Sequence, residues 1–218
     1  MKQLRIGVLA LQGDVSEHID ITYLALREMA LRGEVIIVKS EDQIDEVHGL
    51  IIPGGESTTI GRVAERYGLL SKIRDAHSAG MPIFGTCAGL ILMAKHISDA
   101  RTGKIDQPIL GILDVEVVRN AFGRQRESFE SYIEISKINK NSFPGVFIRA
   151  PAIRSVLSNE VEVLAIYEDK MVAVQQNNRL GMSFHPELTA DTSIHKFFIK
   201  LILKSPLIEN DEENVYGR

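Results

Sequence analysis

Short apolar runs alternate with amphipathic stretches in the first part of the chain, and this alternation constrains the fold more than any other feature. The runs short enough to be buried strands are residues 4–11, 35–38, 50–53 and 83–85. Helices are predicted between them, for example at residues 58–67 and 69–79. Strands that alternate with helices in this way predict a parallel sheet with helices on both faces.

The first helix is predicted to begin at Asp14, which together with Glu17 fits a capping box. Apolar side chains then recur at helical spacing and predict the buried face of this helix: Ile19, Tyr23, Leu26 and Ala30. Another helical stretch follows residues 83–85 and is predicted to run from Leu90 to His96.

After residue 100 the pattern changes to strands that are joined by short turns. These strands are predicted at residues 114–119, 131–136, 146–149, 161–167, 171–176 and 181–185. Because short connections join antiparallel neighbours, the second half should add antiparallel strands to the parallel sheet. A last amphipathic helix is predicted over residues 192–203. The fold class is therefore a three-layer α/β fold.

The chain shows neither repeats nor a linker, so we expect one domain over residues 1–204. Residues 205–218 read as a flexible acidic tail, and residues 99–107 as a polar loop that touches no motif.

Composition excludes several classes of protein. A formal net charge of -4 provides no basic surface, so no nucleic-acid partner is expected. The longest apolar stretch, residues 81–94, is too short and too interrupted by glycine to cross a membrane. The chain start lacks a signal-peptide cleavage pattern, and the single cysteine excludes an internal disulfide. We expect a cytoplasmic protein.

The single cysteine, Cys87, lies in the sequence Gly-Thr-Cys-Ala-Gly between a predicted strand and a predicted helix. A nucleophile flanked by glycines in this context is typical of a nucleophile elbow, in which a sharp turn exposes the reactive atom. The positive end of the following helix favours the thiolate form of a cysteine. Cys87 is therefore predicted to be the nucleophile of an acyl-transfer enzyme.

A cysteine nucleophile needs a base, and the base needs an orienting group. His185 ends an apolar strand and Glu187 follows two residues later, so on an extended backbone both side chains would point the same way. The same pair would also fit a solvated strand end. Four other histidines fall on predicted helices and are expected to have surface or capping roles: His18, His77, His96 and His195. His48 lies in an acidic turn before a strand. No spacing predicts a metal site, and no cofactor is expected.

The tetrahedral intermediate of acyl transfer needs hydrogen-bond donors for its oxyanion. The backbone N–H of Ala88, which follows the nucleophile, is one candidate. Gly55 is the second candidate, since it lies in a glycine turn between a strand and a helix. A plain connecting turn would explain the same glycines.

Six ordered blocks together resemble the class I glutamine amidotransferases, and within them the glutaminase subunits of pyridoxal 5'-phosphate synthase. The blocks are residues 7–13, 53–59, 84–90, 119–125, 147–151 and 183–189. The Gly-x-Cys-x-Gly and His-Pro-Glu pieces belong to the whole class, and the others to the vitamin B6 branch. The resemblance implies a flavodoxin-like fold.

The resemblance also implies roles for individual residues. It implies a catalytic triad of Cys87, His185 and Glu187. The residues that it implies for glutamine binding are Gly55, Glu56, Ser57, Arg119, Ile148 and Arg149. An arginine can pair with the α-carboxylate of glutamine, which agrees with this set. Gln12 is implied to respond to docking of the partner.

The implied reaction is hydrolysis of L-glutamine to L-glutamate and ammonia through a cysteine thioester. The ammonia would pass to a partner synthase, a (β/α)8-barrel protein that makes pyridoxal 5'-phosphate. Two alternatives remain: a glutaminase subunit of another amidotransferase, and a binding protein of the same fold without catalysis. A related cysteine peptidase or hydrolase is also conceivable, although its pocket would not need both arginines.

Overall fold

The alternation of strands and helices is confirmed in the computed structural model, which describes residues 3–122, 128–138 and 142–208. The strands of the first part are β1 (Leu4–Leu9), β2 (Gly33–Val38), β3 (Gly49–Ile52) and β4 (Ile83–Thr86). The helices of the first part are α1 (Val15–Glu28), α2 (Glu41–Ile44), α3 (Ser57–Arg66), α4 (Leu69–Ser78) and α5 (Ala88–Met93).

The second half is mostly strands, as the turn pattern predicts. They are β5 (Ala94–Asp99), β6 (Gly103–Lys104), β7 (Leu113–Arg119), β8 (Ser128–Ile133), β9 (Phe143–Ile148), β10 (Ala152–Val156), β11 (Val161–Tyr167), β12 (Lys170–Gln176) and β13 (Arg179–Met182). A 3-10 turn, Pro186–Leu188, and the helix α6 (Ser193–Leu203) follow.

Within the described residues, eleven strands form one sheet in the order β2-β1-β3-β4-β13-β12-β10-β7-β5-β6, with β11 paired to β12. The strands from β2 to β13 in this order are parallel, whereas β10, β11 and β12 pair antiparallel with their neighbours. β8 and β9 form a separate antiparallel pair. The predicted α/β class with added antiparallel strands is therefore confirmed.

Helices cover both faces of the sheet, and each face has its own apolar core. One core includes side chains of α3, α4 and α5, such as Ile60, Leu69 and Leu90. The other includes side chains of α1 and α6, such as Leu26 and Phe198. Burial on both faces explains why the central strands read as continuous apolar runs.

The face of α1 that the sequence predicts to be buried is displaced by about one residue from the face that is buried in the structure. The buried side chains are His18, Ile21, Thr22, Ala25 and Leu26, whereas Tyr23 is 44% exposed. The capping box is also wrong, because Asp14 occupies the N-cap position of α1 without a side-chain hydrogen bond to the helix. Its carboxylate contacts His185 instead, as described below.

The helix predicted to reach His96 ends at Met93, and the chain continues as β5. β5 pairs in parallel with β7, so sheet pairing determines this segment against its helical pattern. β5, β6 and β10 were not expected from the sequence.

Two sequence expectations lie wholly or partly outside the described residues. The block at 119–125 is described only to residue 122, and the tail only to residue 208. At the start of that tail, Ser205 is buried and its hydroxyl donates to the Gly80 carbonyl at 3.0 Å. None of the helices in the described ranges is long and apolar enough to cross a membrane.

Candidate active site

The predicted site residues meet at the carboxyl ends of four neighbouring parallel strands. Gln12 and Asp14 follow β1, residues 53–57 follow β3, Cys87 follows β4 and His185 follows β13. These strands are adjacent in the order β1-β3-β4-β13. Sheet edges of this kind are where α/β folds bind ligands.

Cys87 is held in the strained backbone of a nucleophile elbow. Its φ is 48° and its ψ is −100°, a combination that a residue with a side chain rarely adopts. Its N–H donates to the Met182 carbonyl at 2.8 Å, and its thiol faces the Ile148 carbonyl at 3.9 Å. The turn also needs a glycine at position 89, since a Cβ there would lie 2.0 Å from the Ile52 carbonyl oxygen.

His185 is buried beside two carboxylates. Its Nδ1 lies 2.8 Å from Glu187 Oε1 and 3.2 Å from Asp14 Oδ2. Glu187 reaches the ring from the 3-10 turn, so the extended backbone that was expected between the two residues is wrong although their pairing is correct. β13 ends at Met182, and the His185 N–H donates to the Val146 carbonyl at 2.8 Å.

This surrounding charge keeps the imidazole protonated. Burial alone would lower the pKa of His185, but hydrogen bonds with Asp14, Cys87 and Glu187 raise it to about 12. The hydrogen bond to His185 lowers the pKa of Asp14, and burial raises the pKa of Glu187. Ligand atoms of Asp14, His185 and Glu187 lie within 4.8 Å of one another. Nδ1 of His185 faces both carboxylates, so these three groups form an ion-paired network.

The Nε2 atom of His185 has no aligned hydrogen-bond partner within the described part of the chain. The proximity of Cys87 is nevertheless among the causes that raise the pKa of His185. With Nδ1 occupied by carboxylates, Nε2 is the ring atom that remains available to move a proton at the sulfur.

A cleft of about 270 Å³ opens in front of Cys87 and contains most of the predicted site residues. Its lining residues are Gln12, Asp14, Gly55, Glu56, Ser57, Cys87, Ile91, Arg119, Asn120, Ile148, Arg149 and His185. Glu187 lies behind His185, and Ala88 is fully buried at the start of α5. The size suits a small metabolite.

Glu56 organises the glycine turn after β3. Its carboxylate caps α3 by accepting the N–H groups of Thr58 at 3.1 Å and Thr59 at 2.7 Å. Burial opposes the charge, but the hydrogen bonds from Thr59 and Thr58 lower the pKa of Glu56. The cap fixes where α3 begins, and Ser57 and Gly55 therefore face the cleft.

Arg119 is fixed at the opposite wall of the cleft by polar side chains. One guanidinium nitrogen donates to Gln107 Oε1 at 2.9 Å and to Thr58 Oγ1 at 3.0 Å. Glu56 and Asp99 lie near the other nitrogens, at 3.4 and 3.9 Å. The guanidinium is 21% exposed, so it can pair with an anionic group in the cleft.

Gln12 connects the turn after β1 to the turn after β3. Its side-chain oxygen accepts the Glu56 N–H at 2.7 Å. Gly55 has a φ of 149°, and a Cβ there would lie 2.6 Å from that same oxygen. The two turns are packed so closely that a shift of one would displace the other.

Ile148 and Arg149 end β9 and close the cleft from above Cys87. Arg149 has a φ of 42°, a strained value for a residue with a side chain. Both residues line the cleft, and the Ile148 carbonyl faces the Cys87 thiol.

Sequence reasoning missed three side chains of the site. Asp14 was assigned to a helix cap, and residues 99–107 were described as a loop that touches no motif. In the structure Asp99 and Gln107 both contact Arg119, which corrects that description. Only the position of Asp14 directly after the Leu-Gln-Gly block could have indicated its role.

The surface roles expected for His18 and His195 are also wrong. His18 is fully buried and His195 is 1% exposed. They lie behind the triad between α1 and α6, and the one-residue error in the face of α1 concealed His18.

Comparison with known proteins agrees with this geometry. The model of the SNO glutamine amidotransferase family matches residues 8–204. The chain belongs to the SNO glutamine amidotransferase family.

Relatives and a solved structure show the same family. "Pyridoxal 5'-phosphate synthase subunit PdxT" of Pyrococcus furiosus is 49% identical over 200 residues, covering 92% of this chain and all of the relative. The protein of the same name in Methanosarcina barkeri is 49% identical over 202 residues, covering 93% of this chain and all of the relative. A crystal structure described as a glutamine amidotransferase superposes with a TM-score of 0.79 at 45% identity, covering 90% of this chain and 98% of that one. The predicted family is confirmed.

Proposed function

We propose that the chain is the glutaminase subunit of a pyridoxal 5'-phosphate synthase and hydrolyses L-glutamine through Cys87. One observation carries this proposal: Cys87 and His185 line the same cleft, and Glu187 Oε1 lies 2.8 Å from Nδ1 of that imidazole. Nucleophile, base and orienting group are thus in the arrangement that acyl transfer requires.

The protonation of His185 determines the order of the steps. With its pKa raised to about 12, His185 holds the proton before glutamine arrives. The Cys87 sulfur attacks the side-chain amide carbon, the C–N bond breaks, and His185 gives its proton to the leaving ammonia. Neutral His185 then takes a proton from water, and the hydroxide attacks the thioester carbon. The C–S bond breaks, glutamate is released, and the Cys87 sulfur and the protonated imidazole of His185 are restored.

The cleft supplies a partner for each part of glutamine. Arg119 would pair with the α-carboxylate, while Glu56, Ser57, Ile148 and Arg149 would fix the rest of the molecule. The N–H groups of Ala88 and Gly55 would hold the oxyanion of the tetrahedral intermediate. Charged groups of both signs in the cleft suit a zwitterionic amino acid.

The partner is proposed to be the (β/α)8-barrel subunit that receives the ammonia. The names of the relatives support this assignment, and so does the match over nearly all of the chain. Gln12 would transmit docking, since its contact with the Glu56 N–H couples the turn after β1 to the turn that contains Gly55. A reactive thiol is kept reduced in the cytoplasm, which we propose as the location.

The alternatives fit less well. A glutaminase of another amidotransferase would share the triad, but the relatives above carry the pyridoxal 5'-phosphate synthase name over their full length. A binding protein without catalysis would not need a strained Cys87 opposite a protonated imidazole.

The deciding assay measures glutamate formation by the chain with and without its cognate barrel subunit. Wild type should be slow alone and much faster in the complex. Cys87→Ala should abolish glutamate formation while still binding the barrel subunit in size-exclusion chromatography. Glutamate formation by that variant, or equal rates with and without the barrel subunit, would refute the proposal.

A further inference from the structure

A pair of buried histidines lies directly behind the candidate triad. His18 is on α1 and His195 is on α6, and their rings meet with centroids 5.4 Å apart. Phe84 packs edge-on against both rings, with centroids 6.1 and 5.7 Å away. The proposed reaction assigns no role to either histidine, and burial of two imidazoles without a function would only destabilise the fold.

The pair is connected to the triad by a chain of polar contacts. His195 Nε2 lies 3.1 Å from His18 Nδ1. His18 Nε2 lies 3.0 Å from Thr86 Oγ1 and 3.4 Å from Glu187 Oε2. Glu187 Oε1 in turn pairs with His185 Nδ1 at 2.8 Å. This series of polar contacts therefore leads from α6 and α1 to the catalytic imidazole.

One assignment of the ring protons gives every buried N–H of the pair an acceptor. In it, His195 Nε2–H donates to His18 Nδ1, and His18 Nε2–H points between Thr86 Oγ1 and Glu187 Oε2. The opposite assignment would bury an unpaired N–H on His195 Nδ1 and would turn the lone pair of His18 Nε2, instead of its N–H, towards Glu187 Oε2. Since unpaired buried donors and carboxylate oxygens are costly, the first assignment is the stable one.

Both histidines are neutral, as this assignment requires. Burial lowers the pKa of His18 well below its usual value, and the nearby charge of His185 lowers it further. Burial lowers the pKa of His195 to about 3. A neutral His18 turns its Nε2–H, which donates to Thr86 Oγ1, towards Glu187 Oε2 at 3.4 Å without competing with the imidazolium of His185 for the negative charge.

We propose that His18 is a positioning residue that holds Glu187 in the orientation needed by His185, and that His195 and Thr86 fix the His18 ring. This inference rests on the proposed function, because it assumes that Glu187 orients the catalytic base. His18 touches neither substrate nor sulfur, so it acts only through the carboxylate. Loss of the N–H that lies 3.4 Å from Glu187 Oε2 frees this carboxylate to rotate and weakens the support of the imidazolium.

The test compares three variants in the complex with the barrel subunit. His18→Leu removes the N–H that faces the carboxylate and should reduce kcat about tenfold with an unchanged KM for glutamine. His18→Gln places an amide N–H where Nε2 stood and should recover most of the rate. Thr22→Val is the matched control, because Thr22 is equally buried on α1 and its hydroxyl bonds only the His18 carbonyl.

A second readout needs neither partner nor turnover. The Nδ1–H of His185, shared with Glu187, should give a downfield proton resonance that exchanges slowly with water in the isolated chain. His18→Leu should shift this resonance upfield and speed its exchange, whereas His18→Gln and Thr22→Val should preserve it. If His18→Leu does not fold, His195→Leu tests the same series of contacts. It should also shift the His185 resonance upfield and speed its exchange.

The outcomes separate the two proposals. An unchanged resonance and unchanged kcat in His18→Leu, or an equal loss of kcat in Thr22→Val, would overturn the positioning role. Wild type that forms no glutamate in the complex would refute the proposed function, while the resonance of His185 would still decide whether His18 orients Glu187.

Discussion

Two buried neutral histidines should make the fold sensitive to mild acid, and His195 allows the effect to be calculated. Burial lowers the pKa of His195 from 6.5 to about 3. Between these values the unfolded chain binds a proton at this position and the folded chain does not. Stability is therefore lost as the pH falls below 6.5, and the loss stops growing near pH 3.

The loss of stability at pH 5 depends almost only on the pKa of His195 in the unfolded chain. The interval from pH 6.5 to pH 5 is 1.5 units, which corresponds to about 2 kcal/mol of unfolding free energy at about 1.4 kcal/mol per unit. Any folded pKa below about 4 gives nearly the same result. The effect is large beside a typical folding stability of about 5–15 kcal/mol.

Other groups titrate in the same range, so a single stability curve would not isolate His195. His185 has a raised pKa, and its contribution is complete below pH 6.5 and is lost as the pH rises towards 12. The measurement is therefore the difference in unfolding free energy between wild type and His195→Gln, from urea titrations at pH 7.5 and pH 5. Groups common to both proteins largely cancel in this difference.

Whatever His195→Gln costs at pH 7.5, the variant should gain about 2 kcal/mol relative to wild type on moving to pH 5. A difference that does not change with pH would mean that His195 is accessible or charged in the folded state. The neutral pair behind the triad would then be wrong.

Three further predictions concern the site. Asp14→Asn removes a hydrogen bond that raises the pKa of His185, so nitrogen-15 NMR at alkaline pH should show more neutral imidazole than in wild type; an equal neutral fraction would contradict the contact. Arg119→Met should raise KM for glutamine about 10- to 100-fold, the loss expected for a charged hydrogen-bonded pair, and a change in kcat alone would argue against a role in binding. Gly54→Ala would place a Cβ 2.3 Å from His185 Cε1 and should lower kcat by about 100-fold through misplacement of the base. Gly111→Ala is the control, because its φ of 67° makes the substitution strain the backbone while the added Cβ meets nothing within 4 Å. It should retain the wild-type rate, and equal losses in both variants would exclude a specific effect at His185.

The sequence was sufficient for those parts of the site that depend on local pattern. Cys87 lies between glycines, and His185 is two residues from Glu187, so both spacings carry information about close contacts. The glycine turn before Ser57 and the strand-end position of Arg119 were likewise readable. Nine of the predicted residues line one cleft. Six of them follow the parallel strands β1, β3, β4 and β13, whose carboxyl ends meet at the same edge, and the other three lie at the ends of β7 and β9.

Contacts between distant segments could not be read in this way. Gln107 reaches Arg119 because β5, β6 and β7 lie side by side, and β5 was not expected from a sequence that continues a helical pattern. His18 and His195 are 177 positions apart and meet only because α1 and α6 pack on the same face. An error of one residue in the face of α1 was enough to place His18 at the surface.

The central claim is that Cys87 forms a covalent γ-glutamyl thioester, and rapid acid quenching tests it most directly. The complex with the barrel subunit is mixed with glutamine, quenched with acid within the first turnovers and digested with a protease. The mass of the peptide that contains the only cysteine is then measured by mass spectrometry. We expect a γ-glutamyl adduct on Cys87 that forms before glutamate is released and is absent in Cys87→Ala. Glutamate release without any adduct on that peptide, continuing in the alanine variant, would contradict it.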